Sequence, residues 1–255
     1  MFEKNKFLEE EIHYEKFRMI GIDRKQVLEL PPQVLKDLLE GRVTQVVQGR
    51  VATSSGNEYA VPVKLQLTHD AEGKVQLMTY PLRDEIANTL DLSKTELEQV
   101  KKGEVIRKEI TEKDGTRRQK FVQLDPETKS LMHRDVASVK IGRQLEDVEK
   151  VRDIQLGQNQ KQAALEGKPV ELTVDDQKVT VGVDLREPQC FKVMTGDMDE
   201  WKRQREIRYD VAHPEVMGYV QTDENRWEYQ QVYLREQREK LDESKKEQKN
   251  HGLKL

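Results

Sequence analysis

The spacing of apolar residues switches between two periods along this chain, and a glycine marks the switch. Short segments with apolar residues at helical spacing end at Gly41, Gly103 and Gly167, and residues that alternate between apolar and polar follow each glycine. This order predicts a helix, its C-terminal stop and then a strand. Because the three glycines are nearly equally spaced, the sequence predicts about three repeats of one unit. We therefore expect Gly103→Val to lower stability rather than to abolish an activity.

The first unit, residues 31–90, contains the clearest strand pattern of the chain. Apolar and polar residues alternate strictly over residues 59–67, and turn-forming stretches lie at residues 54–57 and 69–73. This period of two predicts a helix followed by a three-stranded meander with one apolar face. Pro62 lies inside the pattern and predicts an edge strand or a bulge, because proline donates no backbone hydrogen bond.

Residues 91–152 and 153–196 follow the same plan as a second and a third unit. The second unit has the best helix start of the chain, because Ser93 is a favourable N-cap and Glu96 completes a capping box. In the third unit, Asp175-Asp176 separates two alternating stretches, which predicts a hairpin turn.

The N-terminal end, residues 1–30, departs from this plan. It predicts a helical lead with a first helix over residues 3–20, because apolar residues recur there at roughly helical spacing. A second helix is predicted to start at Asp23, where Gln26 completes a capping box.

The C-terminal end, residues 197–255, also differs. It predicts a basic helix over residues 201–210, and a hairpin and a helix both fit residues 214–233. From residue 234 onward, charged residues intermix with almost no apolar ones, which is typical of a solvated tail. Together these elements predict an α+β protein of repeated helix-and-meander units, with a helical N-terminal lead and a charged C-terminal tail.

Composition narrows the class of protein. Charged residues make up 36% of the chain and hydrophobic residues 35%, which predicts small cores and much solvated surface. The net charge of −4 argues against a protein that wraps a long stretch of nucleic acid. The single cysteine, Cys190, excludes an intrachain disulfide and fits a reducing compartment. Without an evident signal peptide or a long apolar run, the chain is expected to be cytoplasmic and to have no membrane segment.

The sequence contains no recognisable catalytic, cofactor-binding or metal-binding motif. GxGxxG, Walker A, HExxH, CxxC and GxSxG are absent, and the five histidines show no ligand spacing. His133 could act as a base oriented by Asp135, but a strand-edge position near a turn is the simpler interpretation. The sequence therefore predicts a non-enzymatic protein that needs neither cofactor nor metal.

Two kinds of side chain are candidates for contact with a partner. Basic residues flank one hairpin of the second unit and lie beside Trp201, where cations could meet phosphates and an aromatic ring could stack on a base. The candidate nucleic-acid contacts are Arg117, Arg118, Lys120, Lys202, Arg203 and Arg205. The candidate protein contacts are Trp227, Tyr229 and Tyr233, because an exposed aromatic patch marks a protein interface. The simpler interpretations are a solvated helix face for the basic residues and a small closed core for the aromatic ones.

Four short segments bear on the family of the chain: IGIDR at residues 20–24, LEGRVT at residues 39–44, QLDPETK at residues 123–129 and LEGKPV at residues 165–170. The first two resemble the N-terminal domain, and the last two the companion repeat, of a family of uncharacterised proteins from conjugative transposons and related mobile elements of Bacteroidetes. The similarity spans about residues 15–195. It implies an accessory role in the handling of mobile-element DNA, and it carries over no catalytic residue. The chain departs from the repeat at Asp175-Asp176, which replace the glycine of the hairpin turn.

These observations lead to two main hypotheses. The first is a non-enzymatic interaction module of a mobile genetic element, whose partner is a protein. The alternative is an accessory nucleic-acid-binding protein that acts in mobile-element DNA processing through its basic residues. An enzyme with an unrecognised site is a third and weaker hypothesis.

Overall fold

The computed structural model describes residues 7–52, 58–70, 72–112, 114–139, 156–205, 216–223 and 226–232. Its helices are α1 (Tyr14–Arg18), α2 (Arg24–Leu28), α3 (Pro32–Glu40), α4 (Lys94–Lys101), α5 (Gln158–Leu165) and α6 (Met198–Arg205), with short 3₁₀ turns at Glu9–Glu11 and Val136–Ser138. Its strands are β1 (Val46–Ala52), β2 (Glu58–His69), β3 (Val75–Pro81), β4 (Ile106–Thr111), β5 (Arg117–Leu124), β6 (Leu131–Asp135), β7 (Val170–Val174), β8 (Gln177–Val183), β9 (Phe191–Thr195), β10 (Val216–Asp223) and β11 (Arg226–Val232).

The described strands form three sheets, which confirms the predicted α+β class. The first sheet has five strands in the order β11-β10-β1-β2-β3, the second has β4-β5-β6 and the third has β7-β8-β9. A helix followed by three antiparallel strands occurs three times, beginning at α3, α4 and α5. That the three segments are repeats of one ancestral unit stays a prediction. No helix among the described residues is long and apolar enough to cross a membrane.

Positive backbone angles explain where the three helices stop. Gly41, Gly103 and Gly167 have φ angles of 76°, 81° and 83°, a left-handed conformation that strains residues with a Cβ. Asp175 and Asp176 have φ angles of 47° and 61° in the two-residue connection between β7 and β8, as a type I′ hairpin turn requires. The predicted helix stops and the predicted Asp-Asp turn are confirmed.

The predicted helix over residues 3–20 is wrong for its described part. A 3₁₀ turn and α1 replace it, and Ile12 between them is extended at φ −78° and ψ 118°. Phe7, Ile12 and Phe17 are all buried. Because these residues are five apart, one continuous helix would point them in different directions, and the break turns all three toward the core.

Asp23 caps α2 as predicted. Its Oδ1 accepts the Gln26 amide at 2.8 Å, and the Asp23 amide donates to Gln26 Oε1 at 2.8 Å. The corresponding capping box at Ser93 and Glu96 starts α4, which confirms both helix starts.

Pro62 places β2 neither at an edge nor at a bulge, contrary to both alternatives that the sequence suggested. β2 lies between β1 and β3, and Pro62 pairs with Gln48 of β1 without a break in register. The ladder to β3 ends one residue away, at Val63 and Pro81, and Pro62 O accepts the Leu82 amide at 2.8 Å. In an antiparallel strand the N and O atoms of one residue face the same neighbour. The nitrogen of Pro62 therefore faces Leu82, one residue beyond the last paired residue of β3. The missing N–H of the proline costs no hydrogen bond between β2 and β3 at this position.

Residues 216–232 contain a β-hairpin and not a helix. β10 and β11 pair in antiparallel fashion, and β10 also pairs in parallel with β1 through Val46 with Gly218 and Val47 with Tyr219. The C-terminal hairpin thus completes the first sheet. The basic helix predicted from residue 201 is present as α6, which ends at Arg205, and residues 206–210 lie outside the described part.

Both faces of the first sheet are covered. The N-terminal helices pack on one face, where Phe17, Val27 and Leu38 join Val63 and Leu65 in one core cluster. The other face meets the second and third sheets in a second cluster. That cluster contains Tyr80 of β3, Phe121 and Met132 of the second sheet, and Val170, Leu172, Val179, Val181 and Val183 of the third. One core is therefore shared by all three sheets.

Candidate functional site

The hairpin of β10 and β11 carries the aromatic residues that the sequence singled out. Tyr229 is 53% exposed, and its ring lies 5.2 Å from that of Tyr219, its cross-strand partner. Met217, two residues before Tyr219 on the same face, is 38% exposed. These three side chains form an apolar strip, and we call Met217, Tyr219 and Tyr229 the hairpin strip.

The hairpin strip lies next to the part of the hairpin on which the N-terminal helices pack. Trp227 lies two residues from Tyr229 and is partly buried against the cluster beneath those helices. Gln26 of α2 donates to Gln221 Oε1 at 3.3 Å, and Gln221 pairs with Trp227 across the hairpin. Trp227 therefore closes a core, which agrees with the simpler interpretation of the aromatic residues given above. Tyr229 is exposed to solvent beside it. Tyr233 lies outside the described residues.

β11 is also an edge strand. Within the described residues it pairs with β10 alone. Its sequence, RWEYQQV, contains neither lysine nor proline, and its two charged residues neutralise each other through an Arg226–Glu228 ion pair of 2.9 Å. Edge strands without such blocking residues add further strands readily, because their outer side offers backbone donors and acceptors. The hairpin thus combines an apolar strip with an edge that pairs with no further strand in the described part of the chain.

The basic residues predicted on the second sheet are all paired with carboxylates. Arg117 lies 3.5 Å from Glu109, and Arg118 lies 3.1 Å from Asp135. Lys120 is buried and bonds Glu112, with Asp135 at 3.7 Å. Because Lys120 is enclosed by two carboxylates, it has neither the exposure nor the net charge that a phosphate contact needs.

The basic residues predicted on α6 lie elsewhere, beside the third sheet. Arg203 forms a two-bond pair with Glu200, and Lys202 lies 3.9 Å from Asp199. Trp201 is only 5% exposed and packs over Gly182, so its ring is not available to stack on a base. The Arg205 side chain lies outside the described part. Among the described side chains, the two basic sets thus lie on different elements, β5 of the second sheet and α6 beside the third.

A cleft of about 530 Å³ lies between the first and second sheets, and it contains His133. Burial lowers the pKa of His133 to about 4, and the charges of Lys120 and Arg134 act in the same direction. Asp135, the proposed orienting group, is engaged by Arg118 and Lys120. No group of three or more His, Cys, Asp or Glu side chains within the described part of the chain could hold a metal ion.

The sequence missed a buried polar junction between the sheets. Gln66 is 1% exposed, and its Nε2 donates to Gly41 O and Leu185 O at 3.0 Å each. Its Oε1 accepts from Tyr80 at 3.0 Å and from Arg134 at 2.6 Å. On the other side of the same backbone segment, the Leu185 amide donates to Gln123 of β5 at 2.7 Å. Apolar and polar residues alternate strictly in β2, and this pattern predicts that the polar residues face solvent. The burial of Gln66 could therefore not be predicted from the pattern.

Comparison with known proteins identifies one family, over part of the chain. Residues 7–90 match the sequence profile of a family described as "Protein of unknown function (DUF4099)". The matched segment contains the N-terminal helices and β1 to β3. The chain matches no curated protein and no solved structure.

Proposed function

We propose that this protein is a non-enzymatic interaction module that binds a protein partner through the β10–β11 hairpin. The observation that supports this function best is the exposed Tyr229, which contacts Tyr219 and lies on an edge strand without lysine or proline. Aromatic side chains provide much of the contact energy in protein interfaces, and an open strand edge supplies directional backbone bonds.

The other described sheet edges are less suited to this role. β4 presents Arg107, Lys108 and Glu109, and β6, β7 and β9 are only five residues long. The end of β3 is closed by a neighbouring turn, because Ser130 Oγ donates to Pro81 O at 2.8 Å. Charged and short edges are the usual protection against unwanted strand pairing. The contrast favours β11 as the binding edge.

Pairing of the basic residues makes the nucleic-acid alternative the weaker proposal. Phosphate binding draws its affinity from cations that release counterions, and a cation already bonded to a carboxylate contributes little. Of the six predicted contacts, Arg117, Arg118, Lys120, Lys202 and Arg203 each have such a partner.

Site-specific photo-cross-linking in the native host tests the proposal. A photoreactive phenylalanine analogue in place of Tyr229 should give a discrete adduct that mass spectrometry identifies as protein. The matched control is the same analogue at Thr79, an exposed residue on β3 at the opposite edge of the same sheet. No adduct at position 229, or the same adducts at both positions, would exclude the hairpin as a specific binding surface.

The mobile-element setting of this role is part of the proposal and rests on the resemblance described above. If the module serves a conjugative element, deletion of its gene should lower the transfer frequency of that element. Restoration by the wild-type gene, but not by a Tyr229→Asp variant, would connect the hairpin with transfer. Unchanged transfer after deletion would contradict the proposed setting and leave the binding role to be tested separately.

A further inference from the structure

We infer that β11 pairs with β11 of a second copy of this chain, so that the first sheet continues across a twofold axis. The inference rests on the proposed role of the hairpin as a binding surface and names its occupant. A twofold contact of this kind uses the same surface on both copies and is therefore closed rather than chain-forming.

Two copies of β11 are compatible with each other in the antiparallel register that pairs all seven residues of each strand. In that register Tyr229 faces its own copy, Arg226 faces Val232 and Glu228 faces Gln230. No like charges stand opposite each other, although directly opposed like charges would destabilise the pair. The ion pair within the strand further reduces the charge that each copy presents to the other.

The side chains of the same face would also become continuous. Tyr229 of each copy would lie beside the axis, next to the Tyr219 that it already contacts. Directly opposed residues in an antiparallel pair have Cβ atoms about 4.5–5.5 Å apart, close enough for the two Tyr229 rings to touch. The twofold contact thus covers the most exposed part of the hairpin strip.

The expected dimer is weak. A pair of seven-residue strands buries much less than the roughly 1,600 Å² of a standard stable interface, which places it in the size class of weak, transient contacts. The protein would therefore exchange between monomer and dimer over an accessible concentration range, and a heterologous strand could compete for the same edge.

Sedimentation equilibrium of the full chain measures this association. The wild type should dimerise, and Tyr229→Asp should raise the dissociation constant up to about fivefold, because two carboxylates would then meet at the axis. Thr79→Asp, at the opposite edge of the sheet, should leave the constant unchanged. Far-UV circular dichroism and the melting temperature show whether each variant is folded. A wild type that is still monomeric at about 1 mM, a concentration at which an association of only about −4 kcal/mol would be detected, would overturn the inference.

Cysteine cross-linking tests the register independently of stability. Tyr229→Cys should give a covalent dimer with a short bis-maleimide, whereas Gln231→Cys should not. In the proposed register, two copies of residue 231 are offset by four residues, or roughly 13 Å along the strands. The unsubstituted chain, whose single cysteine is Cys190, is the background control. Equal yields at positions 229 and 231 would overturn this register.

The two proposals fail in different ways. A monomeric wild type together with a heterologous adduct at position 229 in the host would remove the dimer and support the interaction module. A dimer with the predicted cross-link and no heterologous adduct would support self-association and contradict binding of another protein.

Discussion

Contacts among the three sheets converge on the side chain of Gln66. It belongs to the first sheet, accepts hydrogen bonds from Tyr80 and from Arg134 of the second sheet, and donates to the backbone that follows the third sheet's β8. Burial raises the pKa of Tyr80, so its phenol stays protonated and continues to donate. Such a buried network favours one arrangement of the sheets, since another arrangement would break these hydrogen bonds and leave more buried polar groups without partners.

Gln66→Leu should therefore be strongly destabilising. The change keeps the volume of the side chain but leaves the carbonyl oxygens of Gly41 and Leu185 without the amide that donates to them. The Tyr80 hydroxyl and Arg134 lose the oxygen that they share and keep their 3.2 Å hydrogen bond to each other. Each unsatisfied buried group costs about 1–3 kcal/mol, so the two carbonyl oxygens alone give an expected loss of at least about 2 kcal/mol. Urea denaturation measures it. Gln76→Leu, at an exposed position of β3, is the matched control and should change the free energy of unfolding by less than about 0.5 kcal/mol.

His133 makes the stability depend on pH. Its pKa is about 4 in the folded protein, because burial disfavours the charged imidazolium, whereas an unfolded histidine titrates near 6.5. The unfolded state therefore binds the proton first as the pH falls, and stability is lost between about pH 6.5 and 4. The loss is at most about 3 kcal/mol.

Thermal denaturation at pH 7 and pH 5 tests this prediction. His133→Gln should flatten the dependence over this range, while the exposed His13→Gln should retain it. An equal pH dependence in both variants would show that another group is responsible.

At this scale the sequence predicted the residues whose roles are local. Asp23 and Ser93 could be identified as caps because a capping box needs only the residues within one turn. The burial of Lys64, Gln66 and Lys120 could not be predicted, because it depends on which sheet packs over the polar face. Charged and amide side chains in an alternating strand indicate solvent unless a distant partner is known.

At the scale of elements, the joint between helix and strand is the constrained feature. Gly167 has a φ of 83°, and a Cβ there would lie 3.1 Å from Val105 O and 3.4 Å from the Phe121 ring. Gly115, in the hairpin between β4 and β5, has the same φ with nothing within 4 Å of such a Cβ. A substitution would therefore cause the same backbone strain at both glycines, but only at Gly167 would the added Cβ meet close neighbours.

Gly167→Ala should consequently lower the free energy of unfolding more than Gly115→Ala. The positive φ costs each variant about 1–2 kcal/mol. The contact with Val105 and Phe121 should add about 1 kcal/mol at Gly167 alone, as in other overpacked positions. Chemical denaturation of the two variants gives the difference directly. Equal losses would mean that the joint is constrained by its backbone angle and not by packing.

The sequence predicted which elements form more reliably than how they pair. Alternation identified the strands of the first sheet, and turn residues separated them, because both signals are local. The parallel contact of β10 with β1 joins residues far apart in the chain and has no local signal. The hairpin at residues 216–232 was ambiguous for the same reason, since its aromatic residues fit a strand or a helix until a neighbouring strand is supplied.

At the scale of the molecule, the shared core predicts cooperative behaviour. Tyr80, Phe121 and Val181 come from three different sheets and are buried in one cluster. Small sheets of three strands have little apolar surface of their own, so each depends on its neighbours for burial. A chain of independent domains would instead unfold in separate steps.

The two tryptophans allow this prediction to be tested in different parts of the molecule. Trp227 lies in the first sheet and Trp201 in α6 beside the third, so Trp201→Phe and Trp227→Phe leave one reporter each. In each variant, the urea midpoint from fluorescence should coincide with that from circular dichroism. Adding Phe121→Leu in the second sheet should lower both fluorescence midpoints together, at a cost of about 1–2 kcal/mol.

Separate midpoints, or a response to Phe121→Leu at only one tryptophan, would contradict the shared core. Coinciding transitions would mean that the β10–β11 hairpin is held by the same cooperative unit as the rest of the described chain. A binding surface on such a unit is preorganised, because no part of it has to fold when the partner arrives. The affinity of the hairpin would then depend on its strip and its edge alone.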